Sequence, residues 1–213
     1  SVASRGLGDV YKRQLEYVTK KFQLSGGYYG SWFRNGNSMV TTTLNGGAAT
    51  STYYLTLPLD NQAHQFFANG GYNFTKDTRG TFKLSYTKAT QSQLLPTSLV
   101  PGLALPTAPT NLNGRLDLTN AQVGLTSKIT NNFSLSGSLR YYGNVEKTPQ
   151  ARFVQTNAAC ATAGSCVDNT PLSFKTTTAK LEGTYRLPMG FSLIGGVDQV
   201  NQNRNVPNGS VVG

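Results

Sequence analysis

The chain has 213 residues, 38% of them hydrophobic and 13% charged, with 23 glycines, two cysteines and a net charge of +10. Ordinary soluble domains run nearer about 45–50% apolar and about 25% charged, so a large soluble enzyme core is disfavoured, and no apolar run approaches the roughly 20 residues of a membrane helix. The 19 basic residues are scattered rather than gathered into a stripe, which removes the usual footprint of a nucleic-acid interface.

The chain begins with neither a start methionine nor a signal segment, and Ser4 to Gln14 reads SRGLGDVYKRQ, which looks like the in-frame translation of a transposase-type sequencing-library adapter. Residues 1–14 are therefore expected to be a non-native leader and are set aside, leaving 15–213 as the folding unit.

From Lys21 onward, period-2 alternation recurs in seven segments of about ten residues, the length that a tilted strand needs to cross a bilayer. The first sets Phe22, Leu24, Gly26, Tyr28 and Trp32 against Gln23, Ser25, Gly27 and Ser31. The second sets Phe66, Ala68, Gly70 and Tyr72 against Gln65, Asn69 and Asn73, with Phe67 breaking the pattern. The third places Phe82, Leu84 and Tyr86 opposite Arg79, Thr81, Lys83 and Ser85, and the fourth places Ala121, Val123 and Leu125 opposite Gln122, Thr126 and Lys128. The fifth is the cleanest, with Phe133, Leu135, Gly137, Leu139 and Tyr141 against Ser134, Ser136, Ser138 and Arg140. In the sixth, Ala179, Leu181, Gly183 and Tyr185 oppose Thr178, Lys180, Glu182 and Arg186; in the seventh, Phe191, Leu193 and Val197 oppose Ser192 and Asp198, with Ile194 as an exception.

The connections alternate in length. Thr75-Lys76-Asp77, Thr130-Asn131-Asn132 and Pro188-Met189-Gly190 have tight-turn chemistry. By contrast, 34–62, 89–114 and 143–173 are long and rich in Asn, Gly, Thr or Pro. Aromatics collect near both strand ends: Phe22, Tyr72, Phe74, Phe133, Tyr185 and Phe191 on the turn side, and Tyr28, Trp32, Tyr86, Tyr141 and Tyr142 on the loop side. Short turns alternating with long loops, two aromatic girdles and alternating strands describe a transmembrane antiparallel up-and-down β-barrel, with turns in the periplasm and loops outside. Single-chain bacterial barrels have even strand numbers, so about seven strands predicts an incomplete fragment of an all-β barrel domain. A β-sandwich with aromatic core residues is the alternative, since alternation alone does not separate lipid from a greasy core.

No catalytic constellation, phosphate loop or haem-attachment motif is present, and neither catalytic, cofactor-binding nor metal-binding residues are assigned. His64 is a lone histidine, more often a surface or lumen residue than a ligand. Cys160 and Cys166 sit within one long loop, where an oxidising compartment favours an intraloop disulfide over free thiols or a metal site. Pro96, Pro101, Pro106 and Pro109 point to a stiff outer loop. By parity the lumen side receives Lys21, Arg79, Lys83, Lys128, Arg140, Lys180 and Arg186 against Glu182 and Asp198. A basic lumen favours anions or an acidic guest, although lumen positions are also where wall charge must go.

The run LPLDNQAHQFFANGGYNFTKDTRGTFKLSYTKATQSQLLPT, residues 57–97, resembles the MtrB/PioB family of outer-membrane barrels, with its Pro-acidic-Asn pattern before a Gly-Gly-Tyr strand, a Thr-Arg strand and a Leu-Pro. Residues 112–149 are similar to the next family block, with Leu139-Arg140-Tyr141-Tyr142 in place of the expected Tyr-Arg-Tyr, and 174–197, including LEGTYRLPMGFSL, to a third. The resemblance implies a large non-enzymatic barrel that sheathes a periplasmic multihaem c-type cytochrome and insulates an electron conduit across the outer membrane. Such conduits serve extracellular metal reduction or iron oxidation. It implies haem in the partner and none in this chain, outer-loop contact with an outer-surface cytochrome, and a role for the basic lumen residues in holding the guest. The family's N-terminal CxxC is absent here. A solute-conducting porin without a cytochrome and a secreted binding module are the competing readings.

Overall fold

The structure is a computed structural model and describes residues 6–37, 39–46, 49–92, 94, 110–154 and 166–205. Its strands in chain order are β1 (Gly6–Val18), β2 (Phe22–Asn35), β3 (Met39–Gly46), β4 (Ala49–Thr56), β5 (Asn61–Asn73), β6 (Thr78–Gln91), β7 (Gly114–Lys128), β8 (Phe133–Glu146), β9 (Arg152–Val154), β10 (Cys166–Asp168), β11 (Ser173–Arg186) and β12 (Ser192–Asn205). Eight form one antiparallel sheet in the order β1-β2-β5-β6-β7-β8-β11-β12, so that each strand pairs with its neighbour in an up-and-down meander. The sheet is open, with β1 and β12 at its edges.

The seven alternating segments all become strands of this sheet. The eighth strand is β1, built largely from the residues set aside as a leader, which pair with β2 from Gly6↔Asn35 to Val18↔Gln23. Val10, Tyr11, Tyr17 and Val18 give β1 the β-branched and aromatic residues that suit a strand. Two long connections also hold hairpins that alternation did not reveal, β3–β4 and β9–β10, each outside the main sheet. The proline-bearing stretch 95–109 lies outside the described residues, as does Cys160.

Among the described residues no apolar side chain is buried, and large ones such as Leu84, Val123, Leu139 and Leu181 are about half exposed. A sandwich would bury these between two packed layers. Here there is one layer, so the sandwich alternative fails on the core it lacks.

The register carries a stagger. The cross-strand row Arg13–Tyr28–Phe66–Tyr86–Thr119–Gly143–Lys175–Asn203 meets β1 at its sixth residue from the turn end and β12 at its twelfth. Six residues of climb at ~3.4 Å over seven steps of ~4.8 Å correspond to a strand tilt of ~31°. Barrel closure requires strands tilted about 35–45°, and the sheet already has most of that inclination.

The tight ends are fastened locally. Thr19 hydrogen-bonds Phe22 through both backbone and side chain at the β1–β2 turn, and Thr130 does the same for Phe133 at the β7–β8 turn. The last turn runs through Pro188–Gly190, where Met189 and Gly190 adopt positive φ of 63° and 83°. Glycine bears that conformation at no steric cost; Met189 does not.

Candidate functional site

Antiparallel partners share a face, so the register sorts every strand residue to one of two sides. The apolar side holds Leu24, Ala68, Leu84, Val123, Leu139 and Leu181 in neighbouring rows. At its turn end, Tyr17, Phe22, Tyr72 and Phe74 form a continuous ring chain with centroid separations of 6.5, 6.4 and 5.0 Å. At the loop end, Tyr11 meets Trp32 at 5.6 Å and Tyr28 meets Phe66 at 5.1 Å. The two girdles lie six to ten residues apart along the strands, ~17–29 Å along the normal after tilt, about the height of the roughly 25 Å apolar band of an outer-membrane barrel.

His64 belongs to this apolar side and not to the lumen. Its Nδ1 lies 2.6 Å from the Tyr28 hydroxyl and its ring stands edge-on to Trp32 at 5.2 Å, making it a member of the loop-side girdle. Parity around Phe66 would have found it, because His64 shares that residue's face. Tyr142 departs in the other direction: it lies on the polar face, against Phe174. Phe67 is also on the polar face, facing Gly27 across the ladder, where a Cβ would stand 2.9 Å from its ring. That glycine gives the out-of-pattern Phe67 its room.

The polar side holds the basic residues. Arg79, Lys83, Lys128, Arg140, Lys180 and Arg186 all share it by register, whereas Lys21 lies in the β1–β2 turn, just outside the ladder. Lys83 and Arg140 occupy one row with Gln122 between them, two strand spacings or ~10 Å apart. Both are exposed. Arg79 donates to Gln23 Oε1 at 3.2 Å, one strand beyond β5, which carries its guanidinium across the sheet. Lys180 is different: its Nζ is 2.8 Å from Glu182 Oε2, and Asp198 is its ladder partner. Its charge is locally matched, so of the basic residues expected on this face the unmatched ones are Arg79, Lys83 and Arg140, with Lys128 and Arg186 at the turn end; Lys12 and Arg204 share the face by register. Elsewhere the polar face is joined by uncharged bonds, Asn69 Nδ2 to Ser25 Oγ at 2.5 Å and Gln65 Nε2 to Thr87 Oγ1 at 3.0 Å.

Among the described residues there is no group of metal-ligating side chains, and the hydroxyl–imidazole pair they hold, Tyr28 with His64, lies in the aromatic girdle of the apolar face. The arrangement is a two-sided wall with one face for lipid and one basic face.

The comparisons agree with that wall. The family model described as outer membrane beta-barrel porin, MtrB/PioB, matches residues 9–209. The chain belongs to the MtrB/PioB family. Outer membrane protein MtrB of Shewanella baltica is 31% identical over 159 residues, covering 75% of this chain and 22% of that protein. The chain thus spans about a fifth of the length of the curated relative it matches. The MtrB/PioB assignment places it in the bacterial outer membrane as barrel wall, and the open edges of β1 and β12 are where further wall would pair.

One strand fits that wall poorly. Arg13 of β1 shares the apolar face, is the ladder partner of Tyr28, and is the sixth residue from the turn end of its strand. In the seven other strands the apolar side carries no charge from the turn end through the tenth residue.

Proposed function

We propose that this chain is part of an outer-membrane barrel that sheathes a multihaem c-type cytochrome, its apolar face toward lipid and its basic face toward the haem protein. The wall performs no redox step; it excludes lipid, holds the guest in register and separates the electron path from the bilayer. The observation that supports the reading is the basic face itself, where Arg79, Lys83 and Arg140 stand exposed without a carboxylate against them among the described residues. Acidic surface or haem propionates would meet those cations with charge-assisted bonds that strengthen as water is excluded. The long loops would serve contact with an outer-surface cytochrome, and the haem would belong wholly to the partners.

The test is co-purification from outer membranes of the full-length protein with Arg79, Lys83 and Arg140 each replaced by Gln. We expect the triple variant to retain markedly less haem protein than wild type at moderate salt, read as haem absorbance per barrel. Unchanged retention refutes the role of the basic face. A solute-conducting porin is the second reading, favoured by the family's description as a porin. Steady ion conductance of the purified full-length protein in planar bilayers, with no cytochrome in its operon or its membranes, would decide for it.

A further inference from the structure

Beyond the loop-side girdle the apolar face changes character. Lys88 and Asp117 are ladder partners on that face, Arg115 follows two residues outward from Asp117, and Lys175 shares the face as the partner of Gly143. Counted from the turn ends, Lys88 is the eleventh residue of β6, while Asp117 and Lys175 are the twelfth of their strands. Tyr86, in the girdle, is the ninth of β6. These charges begin within one turn of the pleat above the aromatic belt, at headgroup height rather than in the loops.

Lys147 and Lys88 flank one carboxylate, Arg115 lies two residues outward on the same strand, and Lys175 stands on the far side of β8. Asp117, 9% exposed, is held by Lys147 Nζ at 2.6 Å and by the Tyr86 hydroxyl. That leaves Lys88, Arg115 and Lys175, all exposed and none closing an ion pair among the described residues. Among the ladder residues the turn end of the same face has no counterpart, since Arg79, Lys128 and Arg186 there belong to the polar side, and Lys20, Lys21 and Lys76 lie in the turns beyond it. The cations are thus one-sided in two senses, toward lipid and toward the outer surface. An outer membrane has the same asymmetry: its outer leaflet is a phosphorylated glycolipid, its inner leaflet phospholipid.

The geometry points to a binding site for the phosphates of an outer-leaflet glycolipid on the outside of this wall, formed by Lys88, Arg115 and Lys175, with Asp117 fixing Lys147 beside them. Exposed cations at headgroup level attract anionic lipid, and Lys88 with Arg115 on one side of β8 and Lys175 on the other suit a glycolipid that carries more than one phosphate. The aromatic belt just below would pack the first acyl carbons. The site is independent of whatever the barrel encloses, because it lies on the opposite face from Lys83 and Arg140.

The test uses the full-length protein extracted from outer membranes in mild detergent, with lipopolysaccharide and phosphatidylglycerol retained per barrel measured by mass spectrometry. The Lys88→Gln, Arg115→Gln, Lys175→Gln variant should lose lipopolysaccharide by about tenfold or more, and keep its phosphatidylglycerol. The polar-face variant Arg79→Gln, Lys83→Gln, Arg140→Gln should retain wild-type lipopolysaccharide. Undiminished lipopolysaccharide in the first variant, or an equal loss in the second, overturns the site. Wild-type protein gives a separate reading that does not depend on a variant folding. Reconstituted with intact or phosphate-stripped lipopolysaccharide, it should retain the intact form preferentially, and equal retention of the two overturns the assignment to phosphate.

Discussion

The assignment of faces can be tested with two adjacent residues of β8. Leu139 is the seventh residue from the turn end, on the apolar face, and is 48% exposed in the chain alone, an exposure that lipid fills in the membrane. Ser138 precedes it on the polar face, between Gly124 and Lys180 in its row. Leu139→Arg puts a guanidinium near the middle of the band, at about 2–4 kcal/mol for a lipid-facing Arg at the midplane of a β-barrel. At about 1.4 kcal/mol per decade this lowers the folding equilibrium by roughly 30-fold to 1,000-fold. Ser138→Arg puts the same group on the wetted side, where the Lys180 ammonium is already engaged by Glu182 at 2.8 Å, and should cost well under about 1 kcal/mol. The assay is urea-driven unfolding of the full-length protein in vesicles, read by the heat-modifiable shift on a gel. Equal losses for the two variants, or a larger loss for Ser138→Arg, refute the sorting of faces and with it the lumen assignment of every basic residue.

Three further outcomes follow from local geometry. A Cβ at Gly70 would stand 2.7 Å from the Gln23 carbonyl and 2.7 Å from the Phe82 ring; Gly70→Ala should therefore cost about 1–3 kcal/mol in the same unfolding assay, and a neutral result refutes the close approach. In the β9–β10 hairpin, Arg152 holds Asp168 bidentately at 2.7 and 2.8 Å and keeps its carboxyl below the usual range. Because the folded value is depressed, the pair's contribution is present above the ordinary carboxylate pKa and is lost as pH falls through the lowered one. NMR titration of Asp168 should show a midpoint lower than in Arg152→Gln, and coincident midpoints refute the pairing. Finally, if residues 4–14 are adapter-derived, resequencing the gene from source DNA should show a different codon run there, with an uncharged residue in place of Arg13; recovering Arg13 unchanged refutes that origin.

What was legible in the sequence is what a single wall imposes. Leu139 and Ser138 alternate because one meets lipid and the other water, and no second layer competes with that rule, so counting by twos recovered the face of nearly every strand residue. The exceptions have local causes. Phe67 sits on the polar side because Gly27 opposite leaves space for its ring. The β3–β4 hairpin escaped because Met39–Gly46 has threonine on both parities and Ala49–Thr56 sets Tyr53 beside Tyr54 beside Leu55, and a strand with two similar faces has no period to read.

Charge was less legible than polarity. Parity assigns Lys180 to the same face as Lys83 and gives the two equal weight, yet the structure matches Lys180 with Glu182 two residues along its own strand and with Asp198 across the ladder, and offers Lys83 only Asn69 and Gln122 as ladder partners. The Glu182 match can be read along one strand, but the Asp198 match lies in register, which depends on turn length and on where each ladder begins. The same holds on the other side, where Lys88, Asp117 and Arg115 come from two strands separated by a long loop and meet only because β6 and β7 pair with Tyr86 opposite Thr119. A one-residue slip of that ladder would carry Lys88 to the polar face and dissolve the patch. Which face of an outer-membrane wall is basic is therefore a property of its ladders, and the two basic sets, one on the polar face and one beyond the loop-side girdle of the apolar face, stand or fall with the same register.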